Sequence, residues 1–210
     1  PAKLAEGLGY YKDEGLDVEI LNESSGVNAE NELLAGSVQA VVGFYDHCVD
    51  LQAKGKYVES VVQFSRAPGE VELVSNKHPE IKSMADLKGK NLGVTGLGSS
   101  TNFLTKYLMK KAGVPDGNFT TVPVGAGTTF IAAIQQDKIQ AGMMTEPTIS
   151  RLLKTNEARI RIDMRDVDKT KAALGGTYPA ASLYMDSAWV AKNKPIVQKL
   201  ANALVKALKF

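Results

Sequence analysis

The stretches Gly26–Asp46 and Gly127–Pro147 read as two copies of one supersecondary unit, and this constrains the fold more than any single motif. Leu33 falls on Ile134, Val38-Gln39-Ala40 on Ile139-Gln140-Ala141, and Tyr45 on Glu146. Each copy reads as strand, glycine-containing turn, helix, short turn, then a strand ending in a polar loop. Two such copies imply two similar lobes with a cleft between them. The alternative is generic: any two βαβ units share this outline, and only the Gln-Ala pair and the glycine are identical.

The rest of the chain follows the same alternation. Leu4, Leu8 and Tyr11 recur at helical spacing up to Gly15, and Leu16–Ile20 then alternates as a strand does. Val38–Phe44, Val58–Phe64 and Val71–Ser75 read as strands, and Ala29–Ala35 and Asp46–Lys54 as helices. Ser83–Asp86 has capping-box spacing, with Asp for the usual Glu or Gln, and leads into a strand at Asn91–Thr95. This pattern predicts an α/β chain with mostly parallel sheet covered by helices. The chain opens inside an α/β unit and closes on an uncapped amphipathic helix, Ile196–Leu208, so a fragment trimmed at both ends is expected.

Composition removes several classes. With 25 basic and 23 acidic residues and no basic block, nucleic acid is not an expected partner. The longest uncharged stretch, Gly117–Gln136, holds Pro123, glycines and threonines, too polar for a transmembrane helix. The single cysteine, Cys48, excludes an internal disulfide and a multi-cysteine metal site, and two histidines give little support for any metal. His78, before Pro79, reads as an exposed surface residue. No start of the signal-peptide type is present, so such a segment is expected to be absent or removed.

Chemistry is expected at strand ends. Gly96-Leu97-Gly98-Ser99-Ser100-Thr101 follows a strand and opens the helix Asn102–Ala112, presenting N–H groups and hydroxyls at a positive helix end. Thr101 stands where a dinucleotide fingerprint needs glycine, and no Gly-Lys-Ser/Thr occurs for a Walker A phosphate-binding loop. The loop therefore reads either as plain helix capping or as a site for a carboxylate, sulfonate or phosphate-like group. Gly125, in Val124–Thr129, belongs to a second turn of this kind, a tight turn with a cap or part of the same site.

Tyr45 ends a strand and offers a flat face to an organic ligand. Asp46 reads as the N-cap of the next helix, or else as a ligand contact. His47 and Cys48 are helix neighbours about 100° apart and make a poor nucleophilic pair. Glu146 is a ligand acceptor for an amine or hydroxyl, or a solvated loop acid. No Gly-x-Ser-x-Gly elbow is present.

Gly9-Tyr10-Tyr11-Lys12-Asp13-Glu14-Gly15-Leu16-Asp17-Val18, Leu34-Ala35-Gly36, Ser83–Lys90 and Gly98-Ser99-Ser100-Thr101, with Tyr45-Asp46-His47, resemble the nitrate/sulfonate/taurine/thiamine-precursor group of ABC-transporter solute-binding proteins. The likeness covers nearly the whole chain. It implies a two-lobe periplasmic-binding-protein-like fold whose chain crosses near Leu73–Lys77 and near Tyr178–Leu183. Residues 1–76 and 179–210 would form lobe one, and 77–178 lobe two. It also implies that the family's first strand and ligand loop precede Pro1, and that more helices follow Phe210. Two departures stand out. Glu70 and Glu72 occupy a central strand where apolar residues are expected, and the cysteine-rich iron motif of the thiamine-precursor synthases on this fold does not occur.

The expectation is thus a receptor, periplasmic or tethered outside the membrane as a lipoprotein, that captures a small organic anion in the cleft. It would be a monomer without catalytic activity or cofactor, and would deliver its ligand to an ABC permease with its ATPase. Gly98, Ser99, Ser100 and Thr101 would hold the anionic head, Tyr45 the apolar body and Glu146 a polar tail; Asp46, Arg66, Gly125 and Tyr178 complete the candidate set. The alternatives are a precursor synthase on the same scaffold, with His47 or Cys48 reacting, and the effector-sensing domain of a regulator.

Overall fold

A computed structural model describes residues 1–210. Two short helices open the chain, α1 (Ala2–Gly7) and α2 (Tyr10–Asp13), joined through Gly9 at φ 74. The helix expected from the Leu4-Leu8-Tyr11 stripe therefore breaks at a left-handed position, which glycine takes without steric cost. Leu16, Val18 and Ile20 do turn inward alternately, half-buried. No strand bonds to them, so this segment is extended chain rather than the expected strand.

Next come helix α3 (Gly26–Ala35), strand β1 (Val41–Phe44), helix α4 (Tyr45–Ala53) and strand β2 (Val58–Gln63). After β3 (Glu70–Ser75) a 3-10 turn at Ala85–Leu87 leads to β4 (Asn91–Val94), α5 (Ser100–Lys111), β5 (Thr120–Pro123) and α6 (Thr128–Gln135). Then follow β6 (Ala141–Met144), α7 (Thr148–Lys154), β7 (Ala158–Met164) and α8 (Val167–Leu174). The chain closes with β8 (Ala181–Asp186), α9 (Ser187–Lys192) and α10 (Lys194–Leu208). Only half of the capping box expected at Ser83–Asp86 forms: the Asp86 carboxylate accepts from the Ser83 N–H at 2.7 Å and hydroxyl at 2.9 Å, but Met84 is the cap residue and no side chain caps the 3-10 turn.

The chain forms two compact units, one of Pro1–Glu23, Ala29–Arg66 and Pro179–Phe210, the other of Ser24–Asn28 and Ala67–Tyr178. Residues 67–76, expected in the first lobe, lie in the second unit because β3 is an interior strand of its sheet. Residues 24–28 move with them.

In the first unit the sheet order is β1-β8-β2, with both pairs antiparallel. One face packs Val62, Leu183 and Met185 with Ala203 and Leu204 of α10 and Ala5 of α1; the other packs Val41 and Tyr184 with Leu33 of α3 and Cys48 of α4.

In the second unit the order is β5-β4-β6-β3-β7. β5, β4 and β6 are parallel, while β3 runs antiparallel to both neighbours. α5 covers one face through Leu104, Leu108 and Met109, and α6 and α7 cover the other through Phe130, Ile134 and Leu152. With both faces covered, every residue of β3 is buried.

The sheets are therefore not mostly parallel, and the reason is topological. Each unit holds a strand-helix-strand pair, β1-α4-β2, which the sequence led us to expect, and β6-α7-β7, which it did not, and in each pair the strands run the same way. Between each pair a strand distant in sequence inserts in the opposite direction, β8 in the first unit and β3 in the second. The two sequence copies map onto α3-β1 and α6-β6. Gly142 is needed where β6 meets β4, since a Cβ there would lie 2.5 Å from the Gly93 carbonyl oxygen and 2.8 Å from the Phe130 ring.

Candidate anion-binding site

The parallel strands of the second unit end level, with Val94 beside Pro123 and Gly93 beside Gly142. Neighbouring strands lie about 4.8 Å apart. The loops 95–99, 124–127 and 145–147 thus leave one edge of the sheet, and α5 and α6 start there. First-turn N–H groups lack intrahelical acceptors and carry the positive end of each helix dipole, so this edge favours an anion. Gly98, Ser99, Ser100, Thr101, Gly125 and Glu146 are brought to this edge, as carboxyl ends of parallel strands require.

Two hydroxyls of the first loop brace it, Ser99 against residues 24–28 and Thr101 against Thr95. Ser99 is the N-cap of α5 but makes no capping bond; its Oγ accepts from the Val27 N–H at 3.2 Å. Thr101 Oγ1 accepts from the Thr95 N–H at 3.0 Å and lies 2.9 Å from Thr95 Oγ1. The Gly98 N–H, at φ 89, donates to Asn102 Oδ1 at 3.2 Å. Ser99, Ser100, Thr101 and Asn102 are all buried. The loop is a braced cradle, and simple side-chain capping does not describe it.

Residues 24–28 were missed by the sequence reading. Ser25 caps α3, its Oγ accepting from the Asn28 N–H at 3.3 Å, and a Cβ on Gly96 would meet Ser25 and Val27 at 3.0 Å. Gly96 therefore admits this segment against the loop. The serine before a helical run was the available signal.

In the second turn Gly125 and Gly127 both have positive φ, at 71° and 68°, and Thr129 Oγ1 donates to the Ala126 carbonyl at 3.1 Å. Glu146 is not a free loop acid: it accepts from the Ser150 N–H at 3.0 Å and pairs with Arg165 Nη1 at 3.5 Å. Partial burial pushes its carboxyl up, but these two partners outweigh burial and hold it below the usual range. Arg165 in turn grips Asp163 through Nε and Nη2, both at 2.9 Å, and holds that acid well below the usual range. β7 ends beside the start of β3, so this ion network shares the edge. Arg165 carried no sequence signal, being one of many dispersed cations.

Tyr45, Asp46 and Arg66 belong to the first unit, Tyr178 to the second. Tyr45 is exposed at the first residue of α4, and its N–H donates to the Ala180 carbonyl at 3.0 Å. Asp46 lies inside the first turn of α4 and is not its cap, because the helix starts one residue earlier than expected, after Phe44. Arg66 is exposed; Tyr178 is half-buried against the α5-side core. His47 Nδ1 meets Glu30 Oε2 at 2.5 Å, both side chains buried. Burial first, and Asp46 second, push the Cys48 thiol up to about 11, which disfavours its thiolate. His78 is not a surface bystander: it sits between Asp137 at 2.7 Å and Glu80 at 3.0 Å. No group of three or more His, Cys, Asp or Glu side chains is placed to hold a metal, and no helix is long and apolar enough to cross a membrane.

The family model described as NMT1/THI5 like matches residues 1–210. The chain belongs to this family. A curated relative, the 4-amino-5-hydroxymethyl-2-methylpyrimidine phosphate synthase THI11 of Saccharomyces cerevisiae, is 26% identical over 216 residues, covering 100% of this chain and 62% of the relative. A solved structure of a Bordetella bronchiseptica RB50 protein matches with a TM-score of 0.94 at 38% identity, covering 99% of this chain and 65% of that one. The alkanesulfonate-binding protein SsuA of Xanthomonas axonopodis pv. citri matches with a TM-score of 0.80 at 20% identity, over 98% of this chain and 68% of that one. The fold is that of the periplasmic binding proteins. The chain thus spans under two thirds of the curated relative and of the Bordetella protein. The expectation of a chain without enzymatic activity is overturned: the yeast relative bears the name of a synthase.

Proposed function

We propose that the protein is the solute-binding component of an importer and captures a small oxyanion at the carboxyl edge of the five-stranded sheet. The observation that carries this reading is the convergence of the α5 and α6 N-termini on three level parallel strands, with the first loop braced from within. The head group is a sulfonate, carboxylate, nitrate-like or phosphate group held chiefly by main-chain N–H groups at Ser100 and Thr101. Gly98 and Ser99 shape the cradle, Gly125 lets the second turn form, and Glu146 reads a polar tail. Tyr45, Asp46, Arg66 and Tyr178 are proposed as further ligand contacts, with the periplasm or cell exterior as location and an ABC permease with its ATPase as partner.

The names of the curated relatives favour a second reading, a pyrimidine phosphate synthase or a chain that binds such a pyrimidine. Both readings place an anion at the same loop. Native mass spectrometry and calorimetry with methanesulfonate, nitrate, acetate and a phosphorylated aminopyrimidine separate them. One-to-one binding without turnover supports the receptor, and a changed ligand mass supports the synthase. No binding to any of the four would defeat the anion site.

A further inference from the structure

A fully buried acid lies beneath this anion site. Glu72, in the middle of β3, has no exposed surface, and its one hydrogen bond is from the Thr105 hydroxyl of α5 to Oε2 at 3.2 Å. Oε1 has no partner, and no salt bridge reaches the side chain. Across the sheet it faces Met143 of β6 and Ile162 of β7. The ionisable groups on this side are Glu70, two residues along β3, the Tyr178 phenol, packed against the same core cluster, and Tyr107 and Lys111 of α5, which donate to the Leu174 and Ala173 carbonyls. Lys111 lies six residues beyond Thr105 and its ammonium is directed at the Ala173 carbonyl, so no cation pairs with Glu72.

We propose that Glu72 makes anion binding at the N-terminus of α5 proton-linked, so that the site is strong while Glu72 is neutral and weak once it ionises. This rests on the anion site proposed above. Thr105 lies four residues beyond Thr101, about 6 Å along the helix axis. An anion on the first-turn N–H groups sits about 3 Å further out. Two negative charges about 10 Å apart, at an effective dielectric constant of about 20, weaken binding roughly tenfold. Burial without a cation favours the neutral acid, pushing its carboxyl up to about 8 despite the opposing Thr105 bond. The bound anion in turn holds the proton on Glu72, because linkage is reciprocal.

The test uses the chain as it stands and methanesulfonate, a probe whose charge stays at minus one across the range. Its affinity is read from the Ser100 and Thr101 amide shifts between pH 6.5 and 9.5, in wild type and in Glu72→Gln, which keeps the shape and leaves Glu70 in place. The wild type is expected to lose about tenfold in affinity across this range, and the variant to lose little. Equal pH dependence in both proteins would overturn the proton link while leaving the anion site standing. No amide response at any pH would overturn the site and the link together. A carboxyl carbon-13 titration of Glu72 in wild type gives a check independent of any ligand or variant: a midpoint near 4.5, the ordinary glutamate value, would also overturn the proposal.

Discussion

Replacing Thr101 by valine separates loop bracing from ligand contact. The two side chains have nearly the same shape, so no cavity forms at a position that is 3% exposed. What disappears is the oxygen that accepts from the Thr95 N–H at 3.0 Å and lies 2.9 Å from the Thr95 hydroxyl. Leaving a buried donor unsatisfied costs about 1–3 kcal/mol, and the half-buried setting of Thr95 places this case toward the lower half. For a chain of this size each kcal/mol shifts the melting temperature by about 2–4 °C, so Thr101→Val should melt about 2–8 °C lower. Thr101→Ser keeps the oxygen and should lose less. Calorimetric melting of the three proteins, with methanesulfonate affinity measured on each, is the assay. A valine variant as stable as wild type would refute the bracing argument; if it also lost all affinity, the hydroxyl would belong to the ligand.

Three other outcomes follow from single contacts. Gly142→Ala forces a Cβ to within 2.5 Å of the Gly93 carbonyl oxygen, and overpacking against backbone should cost at least about 1–3 kcal/mol by urea denaturation. Glu30→Ala strips the buried His47 of its 2.5 Å partner and should cost about 1–3 kcal/mol, with Glu30→Gln recovering part. Arg165 depresses Asp163, so that acid adds stability above its unfolded value of 3.8, and the contribution fades as pH falls below it. Arg165→Ala should therefore cost about 1 kcal/mol at neutral pH, since the guanidinium is a third exposed, and nothing in strong acid; a gap independent of pH would contradict this.

The alternation of periods made the elements legible, because each covered sheet face demands a helix with its own apolar stripe. α5 and β1 to β4 lie within a few residues of their expected bounds. Direction was not legible. Whether β3 pairs within the unit that precedes it or the one that follows depends on contacts some 70 residues away, between Val71 and Met144. Period-2 alternation likewise reports a half-buried face, not a bonded neighbour, which is why Leu16–Ile20 read as a strand.

The acids of β3 mark the same boundary at the site. Glu70 and Glu72 stood out in the sequence only as misfits in an apolar run, and local patterning assigns such residues no partner. Glu72 takes its meaning from what covers it: a helix supplying one hydroxyl and no cation to it, whose first turn starts at the edge where three strands end. The hydroxyls at Ser99 and Thr101 show the converse. A serine or threonine at a helix start suggests a ligand group, yet here both oxygens accept main-chain N–H groups and fix the loop. What the bracing leaves to an anion is chiefly backbone, which every sequence carries and none displays. Side-chain identity in such a site governs the cradle's shape and, through Glu72, its charge, so neutral substitutions in the loop should change stability first and affinity second, while Glu72→Gln should change the pH dependence of affinity above all.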